Sequence, residues 1–293
     1  MKTLARKLLA MYLKSSLRGR SRFFDLLSGP LTPSGGIENV RIGDYVLPLD
    51  HRIRATRMMA YGIYERGDLD QLAKMVPEGA TVIDLGANVG YCTARFAEMV
   101  GRSGRVFSFE PSPACLENLR KLEASNPSGA ITIIPKGAAE STRTTTYFET
   151  ERTISHGFGR LDDRPSDRHT ITREESVEVT SIDDFCETQN IEQIDFVKID
   201  VEGAEVPVLR GMQKTFAAGM RPLLLLEMTG GSKNEHENQT IAQILEPLGY
   251  QSFRLINGLQ PIRLSELGES FHANVLWKSE PAASGFKGAN NSE

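Results

Sequence analysis

A glycine loop directly after a short apolar run constrains the fold of this chain more than any other feature. Residues 81–85 read TVIDL, the loop that follows reads GANVG, and residues 91–100 have a helical pattern that Gly101 ends. Glycines at this position let the backbone approach a ligand at the start of a helix. The sequence therefore predicts a strand, a ligand-binding turn and a helix in direct succession.

Short β-branched runs and helical patterns alternate beyond the loop, which is typical of a parallel sheet built from βαβ units. The predicted parallel strands are residues 81–85, 105–110, 131–134, 194–199 and 223–226. Residues 250–256 and 273–278 follow as two strands joined by a loop near Asn257-Gly258, which predicts a C-terminal antiparallel hairpin. The polar segment 141–176 is too long for a simple connection and predicts a binding loop or hairpin over the sheet edge.

The chain divides by composition into four parts. At 293 residues it is long enough to bury a sizeable core without disulfides or zinc. We predict a main α/β domain at residues 79–278, preceded by a small cap of two strands and helices at 36–78 and by a basic amphipathic arm at 1–35. Residues 279–293 have few large apolar side chains, so we predict a disordered tail there.

The charge of the chain is unevenly distributed. Residues 1–24 carry seven basic side chains and no acidic one, although the formal net charge of the chain is −4. The acidic remainder repels phosphate backbones, so we expect no general nucleic-acid binding. In the arm, apolar residues recur at helical intervals among the basic ones. This pattern predicts either an arm packed on the main domain, which we favour, or an interfacial helix at residues 1–27 that contacts a membrane.

The cysteines and the apolar runs bear on the cellular compartment. Cys92, Cys115 and Cys186 are odd in number and form no C-x-x-C pair, which indicates free thiols in a reducing compartment and no structural metal cluster. Lys14 interrupts the apolar run at residues 8–13, so no secretory signal is predicted. No apolar run reaches the ~20 residues that span a bilayer. We therefore expect a cytoplasmic protein, with membrane association through the arm as the alternative.

Two acidic residues at the mouths of the first two strands indicate the ligand. Glu110 follows Gly90 by 20 residues, where a carboxylate can accept hydrogen bonds from both ribose hydroxyls of an adenosine. Asp84 would repel a diphosphate, and GANVG departs from the G-x-G-x-x-G of NAD-binding loops. The sulfonium and ammonium groups of S-adenosylmethionine (SAM) suit Asp84 better. SAM is thus the predicted cofactor, with NAD or a purely structural use of the glycines as alternatives.

Four segments resemble the FkbM-type family of SAM-dependent methyltransferases: VIDLGANVGYCTARFA, FSFEPSPACLENL, TSIDDF and FVKIDVEGAEVPVLRG. The resemblance covers about residues 64–227. It implies a class I SAM-dependent methyltransferase fold, a Rossmann-like three-layer sandwich with a seven-stranded, mostly parallel sheet. It also implies a hydroxyl oxygen as the usual methyl acceptor, often on a sugar or a secreted metabolite.

The resemblance further implies where the cofactor binds. Glu110 would hold the ribose, and Ala138, after the third strand, would lie near the adenine. The segment 150–172 matches no pattern of the family, so the resemblance gives no information on how the acceptor is recognised. The cofactor-binding residues that it implies are Asp84, Gly86, Asn88, Gly90, Glu110 and Ala138.

Three carboxylates follow neighbouring strands of the predicted sheet. Asp200 and Glu202 come after the fourth strand and Glu227 after the fifth, at the edge where open α/β sheets bind ligands. Methyl transfer needs an acceptor oxygen held in line with the S-methyl bond, and a hydroxyl needs a base. We predict Asp200 or Glu202 as that base, with Glu227 orienting the acceptor, and we predict no metal.

Two alternatives remain for these carboxylates. The same three oxygens could hold a hard cation such as Mg²⁺. A structural role would have Glu202 cap the next helix and Glu227 pair with Lys198 or Arg221.

The histidines are weaker candidates for the base. His156 and His236 lie in segments that could reach the acceptor, although a solvated surface position is the favoured interpretation for both. His51 and His272 are assigned to packing or to the surface.

The predicted function is a SAM-dependent O-methyltransferase that acts on a glycan, glycolipid or secondary metabolite. The rival functions are a non-catalytic SAM-binding protein and a nicotinamide-dependent oxidoreductase.

Overall fold

The computed structural model describes residues 2–14, 20–126, 128–150, 160–161 and 170–279. The predictions for His156 and for the tail beyond Ser279 lie outside the described residues. The strands are β1 (Ile37–Ile42), β2 (Tyr45–Asp50), β3 (Thr81–Leu85), β4 (Arg105–Phe109), β5 (Ile131–Ile134), β6 (Gly137–Ala138), β7 (Arg143–Thr150), β8 (Arg160–Leu161), β9 (Ile171–Thr180), β10 (Phe196–Ile199), β11 (Leu223–Thr229), β12 (Tyr250–Leu255), β13 (Leu259–Pro261) and β14 (His272–Ser279).

Helices cover both faces of the main sheet. In chain order they are α1 (Lys2–Lys14), α2 (Arg20–Ser28), α3 (Arg54–Ala60), α4 (Arg66–Leu72), α5 (Tyr91–Val100), α6 (Pro113–Ala124), α7 (Ile182–Gln189), α8 (Glu205–Arg210), α9 (Gln213–Ala217) and α10 (Glu235–Leu245). Short 3₁₀ turns at Glu246–Leu248 and Leu264–Glu266 complete the helical segments.

The main sheet has the strand order β13-β12-β14-β11-β10-β3-β4-β5. Strands β11, β10, β3, β4 and β5 run parallel to one another, and β14 is antiparallel to both β11 and β12. The mostly parallel sheet with an antiparallel end is therefore confirmed. Chain order reverses where β3 lies beside β10, and ligands of open α/β sheets bind at such a switch point.

The antiparallel end differs from the prediction in one respect. The sheet has eight strands and not seven, because the chain turns back at Asn257-Gly258 and adds the short edge strand β13 to β12. Both turn residues have positive φ, 50° and 116°, as a tight hairpin turn requires. The chain then passes through the Leu264–Glu266 turn before β14 enters the sheet between β12 and β11.

Apolar side chains fill both faces of the sheet because successive strand residues point to opposite sides. Ile83 and Leu85 of β3 lie in one buried cluster with residues of α7, α8, α9 and α10. Val82 lies in the other, with α5 and with Leu47 and Leu49 of the β1–β2 hairpin. The molecule is thus a three-layer sandwich, as predicted. The predicted strand pair and helices at 36–78 are also present.

The segment 141–176 contributes to a second sheet. Strand β7 pairs antiparallel with β9, and the order of this four-stranded sheet is β6-β9-β7-β8. The hairpin interpretation of this segment is confirmed for the residues that the structure describes.

Helices α1 and α2 of the predicted arm pack on the rest of the chain. Leu9 and Leu13 of α1 and Phe24 of α2 are buried in a cluster with Tyr61, as expected for a packed arm. Among the described residues, no helix has the length and apolarity needed to cross a bilayer.

Candidate functional site

The glycine loop leaves β3 at the switch point and brings its backbone against β10. Gly86 has φ +79°, and a Cβ added there would overlap the backbone carbonyl oxygen of Asp200. Gly90 has φ +90°, and a Cβ added there would lie 2.9 Å from side-chain carbons of both Leu119 and Leu122. Close approach of neighbouring chain segments therefore accounts for the requirement for glycine at both positions.

Gly86→Ala is expected to lower the free energy of unfolding by about 2–4 kcal/mol, because the added carbon meets backbone and not a flexible side chain. Gly219→Ala is the matched control. Gly219 has φ +85°, but an added Cβ would meet no described heavy atom within 4 Å. Urea denaturation of both variants separates the overlap at Gly86 from the cost of positive φ. Equal losses in the two variants would contradict the contact between the loop and Asp200.

Asp84 is fully buried at the end of β3, beside the loop. Its Oδ2 accepts a hydrogen bond of 2.7 Å from Thr93 Oγ1, and its Oδ1 has no hydrogen-bond partner among the described residues. Burial raises the pKa of Asp84, while the charge of Lys198 and the Thr93 hydrogen bond oppose this rise. An unsatisfied buried carboxylate oxygen is costly and suits a polar or cationic ligand group.

Glu110, just after β4, is buried and ordered by two backbone donors. Its Oε2 accepts from the Asn88 N–H and its Oε1 from the Ser112 N–H, both at 2.8 Å. Burial raises the pKa of Glu110 to about 7, although these backbone hydrogen bonds lower it. Each carboxylate oxygen retains a second acceptor position. Glu110 therefore fixes the position of Asn88 in the loop and can still accept ribose hydroxyls.

Lys198 was not a predicted binding residue, yet it is the buried cation at the centre of the site. It lies in β10 with its Nζ 2.6 Å from Asp200 Oδ2, and its side chain is 3% exposed. Burial lowers its pKa, but Asp200 and the other acidic groups around it outweigh burial and hold the pKa well above its usual value. Lys198 thus stays charged and neutralises part of the negative charge of Asp84 and Asp200.

The three predicted carboxylates converge. Oxygen atoms of Asp200, Glu202 and Glu227 all lie within 4.8 Å of one another. Glu202 adopts φ +53°, a strained conformation for a residue that is not glycine or asparagine. Burial, with the negative charges of Asp200 and Glu202, raises the pKa of Glu227 to about 9. Glu227 is therefore mostly protonated at neutral pH.

Neither pairing that the structural alternative suggested for Glu227 occurs. Lys198 pairs with Asp200, and Arg221 donates to the backbone carbonyls of Phe216, Met220 and Leu248. The neighbour of Glu227 is His272, whose Nε2 lies 3.2 Å from Glu227 Oε1. Ala204 is at the N-cap of the helix after Gly203, which has no side-chain cap, so Glu202 does not cap it. Glu205 Oε1 accepts from the N–H groups of Val201 and Gly203 in the preceding turn.

The other histidines lie elsewhere. His51 is fully buried and contacts Glu38, and burial lowers its pKa, as fits a packing residue. His236 is exposed in the first turn of α10. His272 was assigned to packing or the surface, but its contact with Glu227 brings it to the edge of the carboxylate cluster.

The cap supplies two more side chains beside the loop. The ring of Tyr64 meets that of Tyr91 edge-on with centroids 5.8 Å apart. Cys92 Sγ donates to Glu65 Oε2 at 3.5 Å, and burial raises the pKa of Glu65. Ala138, the predicted adenine neighbour, lies in β6 of the second sheet and is 2% exposed, within the core cluster that includes Phe185.

A family model described as the methyltransferase FkbM domain matches residues 84–252, which is more than half of the chain. The chain belongs to the FkbM methyltransferase family. The match begins at Asp84 and covers β10, β11 and their three carboxylates. The fold is accordingly the class I SAM-dependent methyltransferase fold, with one additional edge strand.

Three curated relatives share moderate similarity with this chain. Methyltransferase 1 of Beauveria bassiana is 28% identical over 158 residues, 46% of this chain and 59% of that protein. The hexuronic acid methyltransferase AglP of Haloferax volcanii is 27% identical over 153 residues, 50% of this chain and 57% of that protein. The 2-O-methyltransferase NoeI of Sinorhizobium fredii is 26% identical over 148 residues, 46% of this chain and 58% of that protein. The chain thus spans less than two thirds of the length of each.

Solved structures resemble this chain more distantly. Methyltransferase FkbM from Methylobacillus flagellatus KT is 16% identical with a TM-score of 0.41, covering 76% of this chain and 54% of that one. A SAM-dependent O-methyltransferase from Thermotoga maritima is 16% identical with a TM-score of 0.38, covering 73% of this chain and 65% of that one. The fold assignment rests on the strand order and on the family match.

Proposed function

We propose that this protein transfers the methyl group of SAM to a hydroxyl oxygen of a glycan, glycolipid or secondary metabolite. The observation that carries the proposal is the placement of two buried acids, Asp84 and Glu110, on one side of the switch point and the carboxylate cluster on the other. The family match supports methyl transfer over a nicotinamide-dependent reaction. The names of two relatives, a hexuronic acid methyltransferase and a 2-O-methyltransferase, support a sugar hydroxyl as the acceptor.

Asp84 and Glu110, the two acids beside the glycine loop, fit the methyl donor SAM. Asp84 Oδ1 is a buried acceptor without a described partner and suits an ammonium group, while Glu110 suits the ribose hydroxyls. When bound, SAM supplies an electrophilic methyl group on a sulfonium. The charge of Lys198 lowers the pKa of Asp84 against the effect of burial, which favours an ionised Asp84 beside a cationic donor.

The three carboxylates of the cluster can have different roles toward the methyl acceptor. Lys198 Nζ lies 2.6 Å from Asp200 Oδ2, so this carboxylate oxygen is already engaged in an ion pair. Glu227, with a pKa of about 9, carries a proton at neutral pH and can donate a hydrogen bond that orients the acceptor. Of the two bases predicted from sequence, Glu202 is therefore the one we propose to accept the proton of the acceptor hydroxyl as the oxygen–methyl bond forms.

The proposed function is tested by incubating the protein with SAM and separate acceptors: a hexuronic acid glycoside, a neutral oligosaccharide, a glycolipid and an aromatic alcohol. Mass spectrometry is expected to show one added methyl group on a sugar hydroxyl. Methylation of the aromatic alcohol alone would contradict the acceptor class. Donor binding without methylation of any acceptor would favour the non-catalytic SAM-binding alternative.

The same assay after dialysis against EDTA tests the alternative of a bound cation. We expect the rate to stay within about twofold, because Lys198 already neutralises Asp200 and Glu227 is protonated, which leaves the cluster poorly suited to a divalent cation. Loss of activity that Mg²⁺ restores would show that the cluster holds a metal.

The pKa of Glu110 predicts how donor affinity depends on pH. Glu110 accepts ribose hydroxyls as a carboxylate, so affinity is expected to be full above pH 7 and to fall by up to about tenfold per pH unit below it. Calorimetric titration with S-adenosylhomocysteine between pH 5.5 and 8 measures this dependence. Glu110→Gln should bind weakly at every pH and lose the dependence. An identical pH profile in wild type and variant would contradict the role of Glu110.

A further inference from the structure

Helices α1 and α2 carry most of the large apolar side chains that are exposed to solvent among the described residues. Among the described residues, eight large apolar side chains are exposed, and six of them lie in α1 and α2. The exposed fractions of Leu4, Met11 and Leu26 are 64%, 69% and 68%. We call these six side chains the arm surface: Leu4, Leu8, Met11, Phe23, Leu26 and Leu27.

Helix α1 carries two apolar stripes on opposite sides. At about 100° per residue, Leu4, Leu8 and Met11 fall within roughly 60° of one another around the helix. Leu9 and Leu13 fall on the far side and are buried against the cluster that contains Tyr61. Packing on the domain therefore accounts for one stripe and leaves the other facing solvent.

Helix α2 extends the same exposed surface. Phe24 is buried, whereas Phe23, Leu26 and Leu27 point away from the core. The rings of Tyr12 and Phe23 meet edge-on with centroids 5.5 Å apart, which shows that the two helices are in contact. The arm surface is thus carried by a pair of packed helices.

Lysine side chains flank this surface. Lys7 and Lys14 are exposed on α1, and residues 1–24 contain no acidic side chain. Asp25, the first acid, is paired with Arg54 at 2.9 Å. A second copy of the chain would bring the same basic groups to the contact, and like charges would repel. Apolar side chains flanked by lysines match the interface of an anionic bilayer, where lysine stems extend to the headgroups.

We propose that α1 and α2 bind the surface of an anionic membrane through the arm surface. Leu4, Leu8, Met11, Phe23, Leu26 and Leu27 enter the boundary between headgroups and acyl chains, and Lys7 and Lys14 contact lipid phosphates. The proposal goes beyond methyl transfer and does not depend on the identity of the acceptor.

Cosedimentation of the full chain with vesicles tests this directly. Vesicles of phosphatidylcholine are compared with vesicles in which a third of the lipid is phosphatidylglycerol. Wild-type protein is expected to bind the anionic vesicles at least about tenfold more tightly than the neutral ones, with weaker binding at high salt. No preference for the anionic vesicles would overturn the proposal.

Two variants locate the contact. The triple variant Leu4→Ser, Leu8→Ser, Met11→Ser and the double variant Lys7→Glu, Lys14→Glu should each weaken binding at least about tenfold. Ile256→Ser, which changes an exposed apolar residue outside the arm, should bind like wild type. Thermal denaturation checks that all variants fold, as exposed positions predict. Unchanged vesicle binding in both arm variants would contradict the proposal, and so would a dimer in analytical ultracentrifugation that the triple variant abolishes.

Discussion

Glu202→Gln is expected to slow methyl transfer by at least about 100-fold while changing donor affinity only a few-fold. Gln keeps the shape of the side chain but cannot accept the proton that leaves the acceptor hydroxyl. The other two carboxylates are poor substitutes, since Lys198 holds Asp200 as an ion pair and the pKa of Glu227 is about 9. Single-turnover methylation measures the rate, and calorimetry with S-adenosylhomocysteine measures the affinity.

The matched control is Glu187→Gln, which removes an exposed glutamate in α7 and should leave both quantities unchanged. A normal methylation rate in Glu202→Gln would remove Glu202 from the mechanism. In that event Asp200→Asn becomes the informative variant, because the sequence assigns the base to one of these two residues.

Asp84→Asn is expected to weaken donor binding by about 10- to 100-fold, the usual effect of losing one charged hydrogen bond in a buried site. Asp84 is fully buried, its Oδ1 has no described partner, and the amide oxygen of Asn can keep the hydrogen bond that Oδ2 accepts from Thr93. We therefore expect the melting temperature of Asp84→Asn to be unchanged or raised, because a neutral amide has a smaller cost of burial.

Asp183→Asn gives the opposite pattern. Asp183 is buried in α7 and accepts hydrogen bonds from the backbone of Lys214 and Thr215 and from the Thr215 hydroxyl. This variant should lower the melting temperature and leave donor affinity unchanged. Normal donor affinity in Asp84→Asn would contradict the assignment of Asp84 to the binding of a cationic ligand group.

The sequence predicts the central part of the fold well because central parallel strands are buried on both faces. The apolar run at residues 81–85 and the helix ended by Gly101 coincide with β3 and α5. The edge of the sheet is harder to predict. Strand β13 has only three residues, none of them buried, so it shows no clear apolar pattern. The signal for this strand was Asn257-Gly258, two adjacent residues that readily adopt positive φ.

Some contacts of the candidate site could likewise be predicted from the sequence, and others could not. Asp200, Glu202 and Glu227 come together as predicted because the carboxyl ends of parallel strands share one edge. Lys198 could have been found from the sequence, since a lysine within a buried strand needs an acidic partner. His272 could not, because its contact with Glu227 depends on β14 entering between β11 and β12.

Isothermal titration calorimetry with S-adenosylhomocysteine, SAM and NADH tests the central claim most directly. Wild-type protein should bind the first two with one site per chain and show no heat with NADH. Heat with NADH and none with SAM or S-adenosylhomocysteine would contradict the assignment of the β3–β10 switch point to a sulfonium donor.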